Sequence, residues 1–98
     1  MPVQSKQEGN NVTITVSGRF NFNDHASFRS AYKELPPDAT YLLDMSNTEY
    51  MDSSALGMLL LLREHAGGDS SKIVIAGCAP DIKKILNIAN FQKLFEIR

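Results

Sequence analysis

The chain has 98 residues, of which 43% are hydrophobic and 21% charged, a composition typical of one globular domain. Ten Lys and Arg against eleven Asp and Glu give a net charge of −1, and this balance disfavours a protein that binds the phosphate backbone of nucleic acids. The longest apolar run, residues 55–62, is far shorter than the ~20 residues that cross a bilayer, and residues 1–10 lack a secretory signal. We therefore expect a single cytoplasmic domain over residues 1–98 that makes no contact with membranes.

The chain begins with a pattern that predicts a β-hairpin. Val12, Ile14 and Val16 alternate with polar residues, which indicates a strand with one buried face. Gly9-Asn10-Asn11 before them is typical of a hairpin turn, so residues 3–8 are expected to pair with this strand at the edge of a sheet.

A helix and a short strand are predicted next. Asn23 or Asp24 can cap a helix that runs to about residue 34, where two prolines stop it. Residues 40–45 predict a short strand that ends at Asp44 and is followed by a loop. We expect Phe22, just before the helix, to pack in the core or against a loop.

The second half of the chain alternates helices and strands. A helix starts near residues 52–54 and runs to about residue 66, and the β-branched residues 72–76 predict a buried strand. Pro80 suits the first turn of a third helix, and residues 94–97 predict a last short strand. The order β-β-α-β-α-β-α-β indicates an α/β fold, a mixed and mostly parallel sheet of four to five strands with three helices packed on it.

The junction between the third strand and the second helix is the predicted functional site, because strand carboxyl ends meet helix amino ends there. The loop after Asp44 ends in Asp52, Ser53 and Ser54. Asp and Ser are common helix N-caps, but three in a row exceed what one helix needs. The N–H groups and dipole of a helix N-terminus also suit a phosphate, so a capping role and a phosphate-acceptor role both stay open.

The second helix is apolar around its whole circumference for about two turns, over residues 55–62. One side of it must pack on the sheet. The other side is either covered by a neighbouring helix or forms a protein-binding surface that begins beside Ser53. Met58 suits such a surface because its side chain is adaptable. Asn21, at the same end of the predicted sheet, can contribute to it.

The sequence does not support a catalytic site. A Ser–His–Asp arrangement needs a histidine beside Ser53, but His65 lies three helical turns away and no GxSxG motif surrounds the serine, whereas His25 can lie nearer. No P-loop or GxGxxG motif is present, and Cys78 alone makes neither an internal disulfide nor a zinc site. We expect no enzymatic activity, no cofactor and no metal.

Three segments carry a recognisable pattern: GRFNFNDH, YLLDMSNTEYMDSSALGMLLLL and IVIAGCAPDIKKILNIANFQKLFEI. The most specific part is an aliphatic strand ending in Asp, eight loop residues between that Asp and Ser53, and MDSS-x-LG at the start of a helix. Over residues 12–97 the chain resembles the STAS-domain family of anti-sigma factor antagonists. The resemblance implies that Ser53 is a phosphorylation site, that Asp52 belongs to the surface that binds kinase and partner, and that Asp44 is the acidic residue ending the third strand.

The chain departs from the family in two places that bear on partners. Asn21 stands where the family often has an acidic residue that would contact the kinase. Many members add a C-terminal helix beyond the position of Arg98, so we expect an uncovered surface suited to a partner or to a homodimer. The chain looks most similar to small Gram-negative members controlled by a response-regulator protein with kinase or phosphatase activity, in motility, biofilm or stress regulation.

The resemblance implies a switch in signal transduction and transcription regulation. The unphosphorylated protein is expected to bind an anti-sigma factor or a serine kinase and to be released when Ser53 is phosphorylated. A scaffold subunit of a transport or lipid-trafficking assembly, and a sensor that binds nucleotide at the helix N-terminus, are the alternatives. The residues expected to contact the partner are Asn21, Asp44, Asp52, Ser54, Leu56, Met58 and Leu60.

Overall fold

Five strands form one sheet in the order in which they occur along the chain. The computed structural model describes residues 3–98. β1 pairs antiparallel with β2, and all later neighbours are parallel, which confirms the predicted mixed, mostly parallel sheet. The strands are β1 (Val3–Glu8), β2 (Asn11–Phe20), β3 (Thr40–Met51), β4 (Lys72–Ala76) and β5 (Glu96–Ile97).

Three α-helices connect the parallel strands. They are α1 (His25–Ser30), α2 (Ser53–His65) and α3 (Pro80–Ile88), and short 3₁₀ turns lie at Phe22–Asp24, Gly68–Ser70 and Phe91–Lys93. Alternate residues of β2, β3 and β4 are buried, which shows that the helices cover one face of the sheet. None of the helices between residues 3 and 98 is long and apolar enough to cross a bilayer.

The core lies between that face of the sheet and the helices. Alternate strand residues point into it, so the residues between them lie on the other face, where Leu42 is 37% exposed. Burying each large aliphatic side chain contributes ~1.5–3 kcal/mol, which makes this layer the main stabilising part of the fold. The fully buried residues are Val12, Ile14, Val16, Phe20, Phe28, Tyr41, Leu43, Met45, Ala55, Leu59, Leu62, Ile75, Ile82 and Leu86.

β3 does not end at Asp44, so the predicted short strand and long loop are wrong. The strand continues to Met51, whose pairing partner is Phe20 of β2. Between Thr15 and Ser17 β2 advances two residues while β3 advances three, and a second extra β3 residue follows after Thr48. These bulges break the period-two pattern of the strand, which is why the sequence resembles a loop.

The end of β3 forms a two-stranded extension with β2. β4 stops opposite Asp44, with Ala76 as the last paired residue, so β3 beyond that point has β2 as its one neighbour among residues 3–98. This extension places the end of β2 beside the end of β3. The chain therefore enters α1 and α2 from two adjacent strand ends.

α1 is shorter than predicted, and a capped 3₁₀ turn precedes it. The α-helix ends at Ser30 and irregular turns follow to residue 34. The 3₁₀ turn has Asn21 as its N-cap. Asp24 is the N-cap residue of α1, as predicted, but its side chain makes no capping bond to that helix. The Asn21 Oδ1 accepts the Asn23 N–H at 3.0 Å, and the Asp24 carboxylate accepts the Asn21 N–H at 3.2 Å. This reciprocal pair is a capping box.

Candidate functional site

Asp52 fixes the junction between β3 and α2. It is the N-cap of α2, and its Oδ1 accepts the Ala55 N–H at 3.1 Å. The Ser54 hydroxyl donates to the same oxygen at 2.6 Å. The Asp52 N–H donates to the Phe20 carbonyl at 3.3 Å, which ties the start of α2 to the end of β2. The Asp52 side-chain cap and the backbone bond to β2 therefore both hold the first turn of α2 in place.

The Asp52 carboxylate is stabilised in its charged form. The Ser54 hydroxyl is the largest cause of a lowered pKa for Asp52, and partial desolvation opposes it. Backbone N–H groups of Ala55, Ser54 and Phe22 lower the pKa further. Asp52 is therefore a fixed negative charge beside Ser53 at neutral pH.

Ser53 is the first residue of α2, and it is exposed. Its hydroxyl makes no hydrogen bond with any residue between 3 and 98, whereas the side chains of Asp52 and Ser54 bind each other. Capping accounts for Asp52 and Ser54 but gives Ser53 no role. The Ser53 hydroxyl is therefore free to react, and it lies where the helix dipole favours an added anion.

The outer face of α2 is apolar and begins at Ser53. We use this term for Ser53, Leu56, Gly57, Leu60 and Leu61, which follow one another at helical spacing. Leu56 is half-buried, Gly57 is exposed, and Leu60 and Leu61 are 40% and 46% exposed. The side chains of these leucines thus form a continuous apolar strip that leads away from the serine.

Met58 does not lie on this surface. Its side chain is 2% exposed and packs with Ala55, Leu59 and Leu62 on the inner face of α2. The expectation that Met58 contacts a partner is therefore wrong. The sequence of an all-apolar helix does not indicate which side faces the sheet. In the structure, the side that carries Met58 packs on the sheet.

Phe22 is an exposed aromatic residue next to the site. It is 69% exposed, and its ring centroid lies 5.8 Å from that of His25. Of the two expected placements, in the core or against a loop, the core is wrong for Phe22, because the Asn21 cap starts a 3₁₀ turn that leaves this ring exposed. Asn21 itself is half-buried and holds the turn through its capping bonds. The capping pattern from Asn21 to Asp24 was the sequence signal for this turn.

The family model described as "Mlab, STAS domain" matches residues 3–96. The chain belongs to the STAS-domain family. The "STAS-domain containing protein PA14_20770" of Pseudomonas aeruginosa (strain UCBPP-PA14) is 50% identical over 91 residues, which are 92% of this chain and 90% of that protein.

Two solved structures show that this STAS domain shares the fold of anti-sigma factor antagonists. The unphosphorylated form of SpoIIAA superposes with a TM-score of 0.72 at 16% identity, covering 98% of this chain and 86% of its own. An anti-sigma factor antagonist from Mycobacterium paratuberculosis gives a TM-score of 0.79 at 16% identity, covering 97% of this chain and 82% of its own.

Asp44 lies apart from the site in this STAS domain. It sits between the buried Leu43 and Met45, so its side chain emerges on the face of the sheet opposite α2. Its Oδ1 accepts the Ser46 N–H at 3.0 Å and the Ser46 hydroxyl at 2.7 Å. The expectation that Asp44 contributes to the same surface as Ser53 is wrong, because β3 continues past it to Met51.

Proposed function

We propose that this STAS domain is a phosphorylation-controlled protein-interaction switch. In its unphosphorylated form it binds an anti-sigma factor or a serine kinase through the outer face of α2, Asp52 and Phe22. Phosphorylation of Ser53 releases the partner, and a phosphatase restores the binding form. The observation that carries the proposal is the free, exposed Ser53 hydroxyl at the start of an exposed apolar strip.

The fold can accept a phosphate at Ser53. The modification adds about −1.5 to −2 charge at neutral pH. It removes no hydrogen bond, since the Ser53 hydroxyl has none with residues 3–98. The dipole at the N-terminus of α2 favours the added charge. The phosphorylated chain should therefore remain folded.

A docked partner cannot accept the same phosphate. Closing an apolar interface over the outer face removes water from the dianion, and the ionised Asp52 repels it. A loss of ~3 kcal/mol in binding is roughly 150-fold, which is enough to release a partner. The charge acts at the interface and not on the fold.

The chain itself supplies no chemistry in this proposal. The kinase transfers the γ-phosphoryl group of ATP to the Ser53 oxygen, ADP leaves, and a base of the kinase takes the hydroxyl proton. ATP and Mg²⁺ belong to the kinase. SpoIIAA, which shares this fold, is an anti-sigma factor antagonist solved in unphosphorylated and phosphorylated forms. This likeness supports the proposed type of role. Control of motility, biofilm formation or stress responses is the setting we propose.

The proposal is tested by comparing partner binding of Ser53→Ala and Ser53→Asp. Each variant is expressed at native level in the cells of origin, and the bound proteins are identified and quantified. We expect Ser53→Ala to retain the partner and Ser53→Asp to lose most of it, with Ser27→Asp, a serine on α1, as control. Equal recovery of one partner by both variants would indicate the scaffold subunit instead.

A further inference from the structure

A groove between α1 and α2 carries positive charge. Its volume is about 240 Å³, and its lining residues are Arg29, Tyr32, Lys33, Leu61 and His65. It lies at the far end of the outer face of α2 from Ser53. Nothing in the proposed switch requires basic residues at this position.

The two cations of the groove come from one turn and are unpaired. The Lys33 N–H donates to the Arg29 carbonyl at 2.9 Å, so the two side chains emerge from the same side of the chain. Both residues are exposed, and neither makes an ion pair with any residue between 3 and 98. Like charges at this spacing repel each other, and an acidic group bound between them relieves that repulsion.

The wall of the groove that comes from α2 consists of Leu61 and His65, and contacts with the segment after α1 hold His65 in place. The His65 ring lies 5.1 Å from the Tyr32 ring, centroid to centroid. Its Nε2 lies 2.9 Å from the Leu35 carbonyl oxygen, which can only accept, so Nε2 carries the proton. Leu61 is 46% exposed and supplies an apolar contact beside the cations.

The groove is continuous with the surface that begins at Ser53. Leu61 follows Ser53 by eight residues, which is roughly 12 Å along the helix axis and about 80° around it. A partner that covers the outer face of α2 therefore reaches the groove as well. A phosphate at Ser53 lies farther from it than the ~8 Å screening length at physiological salt.

We propose that the groove docks an acidic segment of the partner protein. Its carboxylates pair with Arg29 and Lys33, and one large apolar side chain packs on Leu61. The groove is smaller than the ~300–1,000 Å³ of typical small-molecule sites, which favours a few side chains over a free ligand. This proposal rests on the proposed function for the existence of the partner, but it needs no phosphorylation.

The test is a titration of the ¹⁵N-labelled full chain with a short synthetic peptide of glutamates around one leucine. A matched peptide of lysines around one leucine, and inorganic phosphate, are titrated separately. We expect the acidic peptide alone to shift the amide signals of the five groove residues. Raising the salt concentration should weaken its binding, because exposed ion pairs are screened.

Charge reversal identifies the residues that bind the peptide. The double variant Arg29→Glu/Lys33→Glu should bind it about tenfold more weakly, or not measurably. The control Lys83→Glu/Lys84→Glu makes the same charge change at exposed positions of α3 and should bind as the wild type does. Equal weakening by both double variants, shifts centred outside the groove, or the same shifts with inorganic phosphate would overturn the proposal.

The outcome is distinguishable from a failure of the proposed function. The peptide experiment contains no kinase and reports on the groove alone. If the chain binds the acidic peptide but never carries phosphate on Ser53, the proposed switch is rejected and the proposed role of the groove is retained. If the chain is phosphorylated on Ser53 but does not bind the peptide, the proposed role of the groove is rejected and the proposed switch is retained.

Discussion

The Ser54 hydroxyl donates to Asp52 Oδ1 at 2.6 Å, and Ser53, the residue between them, has no part in this bond. The two outer residues of the Asp-Ser-Ser sequence form the cap of α2, together with the Ala55 N–H. The middle one presents its hydroxyl to solvent. Two adjacent serines thereby have different roles, because helix geometry turns only one of them back towards the capping carboxylate.

The lowered pKa of Asp52 gives the first prediction, an acid sensitivity of the fold. A carboxyl whose pKa is lower in the folded state stabilises the fold above its ordinary pKa, and the contribution is lost as pH falls through the lowered value. We expect Asp52→Asn, which can still cap, to show a weaker fall in stability as the pH falls through and below the ordinary pKa of an aspartate. Ser54→Ala removes the largest cause of the lowered pKa and should also flatten the profile.

Urea unfolding at a series of pH values measures this effect. The midpoint for the wild type is compared with that of each variant at every pH. Parallel curves for the wild type and Asp52→Asn would show that the Asp52 carboxylate is not stabilised in the folded state.

The second prediction concerns the tolerance of the fold for charge at Ser53. Ser53→Asp adds a negative charge at an exposed helix N-terminus and should change the free energy of unfolding by about 0.5 kcal/mol or less. Ala55→Asp, two residues later, puts a charge at a fully buried position and should unfold the domain or nearly so. Thermal denaturation followed by circular dichroism separates the two. Unfolding of Ser53→Asp would contradict the claim that phosphate acts at the interface.

The third prediction separates the two faces of α2. Met58→Ala removes buried volume and should lower the free energy of unfolding by ~2–5 kcal/mol. Leu60→Ala should cost about 1 kcal/mol or less, since that side chain is 40% exposed, yet it should weaken partner binding. Stability is measured by urea unfolding and binding by recovery of the partner. A large stability loss in Leu60→Ala would place that residue in the core.

The fourth prediction tests the bulge in β3. Gly77 has a φ of +79°, and a Cβ there would lie 2.9 Å from the Ser46 Cβ and 3.1 Å from two Ser46 backbone atoms. Gly77→Ala should therefore destabilise the fold by ~1–3 kcal/mol. Gly57→Ala is the control, because its Cβ meets nothing within 4 Å and a helical alanine is favoured by ~0.5–1 kcal/mol. Denaturation midpoints that move in the same direction would contradict the close approach of Gly77 to Ser46.

Much of the fold could be predicted from local patterns in the sequence. The alternation of Val12, Ile14 and Val16 and the start of the third helix at Pro80 correspond to β2 and α3 of the structure. The helix N-terminus at residues 52–54 was predicted from capping preferences, and the structure begins α2 at Ser53. These features depend on residues that are close together in the sequence, which is why the sequence alone predicts them.

The failures have a common cause in long-range contacts. The extension of β3 past Asp44 depends on pairing with β2 through two bulges, and no local sequence pattern in β3 predicts that pairing. Likewise, the burial of Met58 follows from how α2 packs on the sheet. The groove at Arg29 and Lys33 exists because α1 and α2 lie side by side, which spacing along the chain does not reveal.

The most direct test of the switch is mass spectrometry of the protein isolated from its own cells at several growth stages. Intact mass gives the phosphorylated fraction, and peptide fragmentation locates the phosphate, with Ser53→Ala as control. We predict one phosphate, on Ser53 and not on Ser54, that is absent from the variant. Protein without phosphate at every stage, or phosphate that persists in Ser53→Ala, would contradict the proposed role of Ser53.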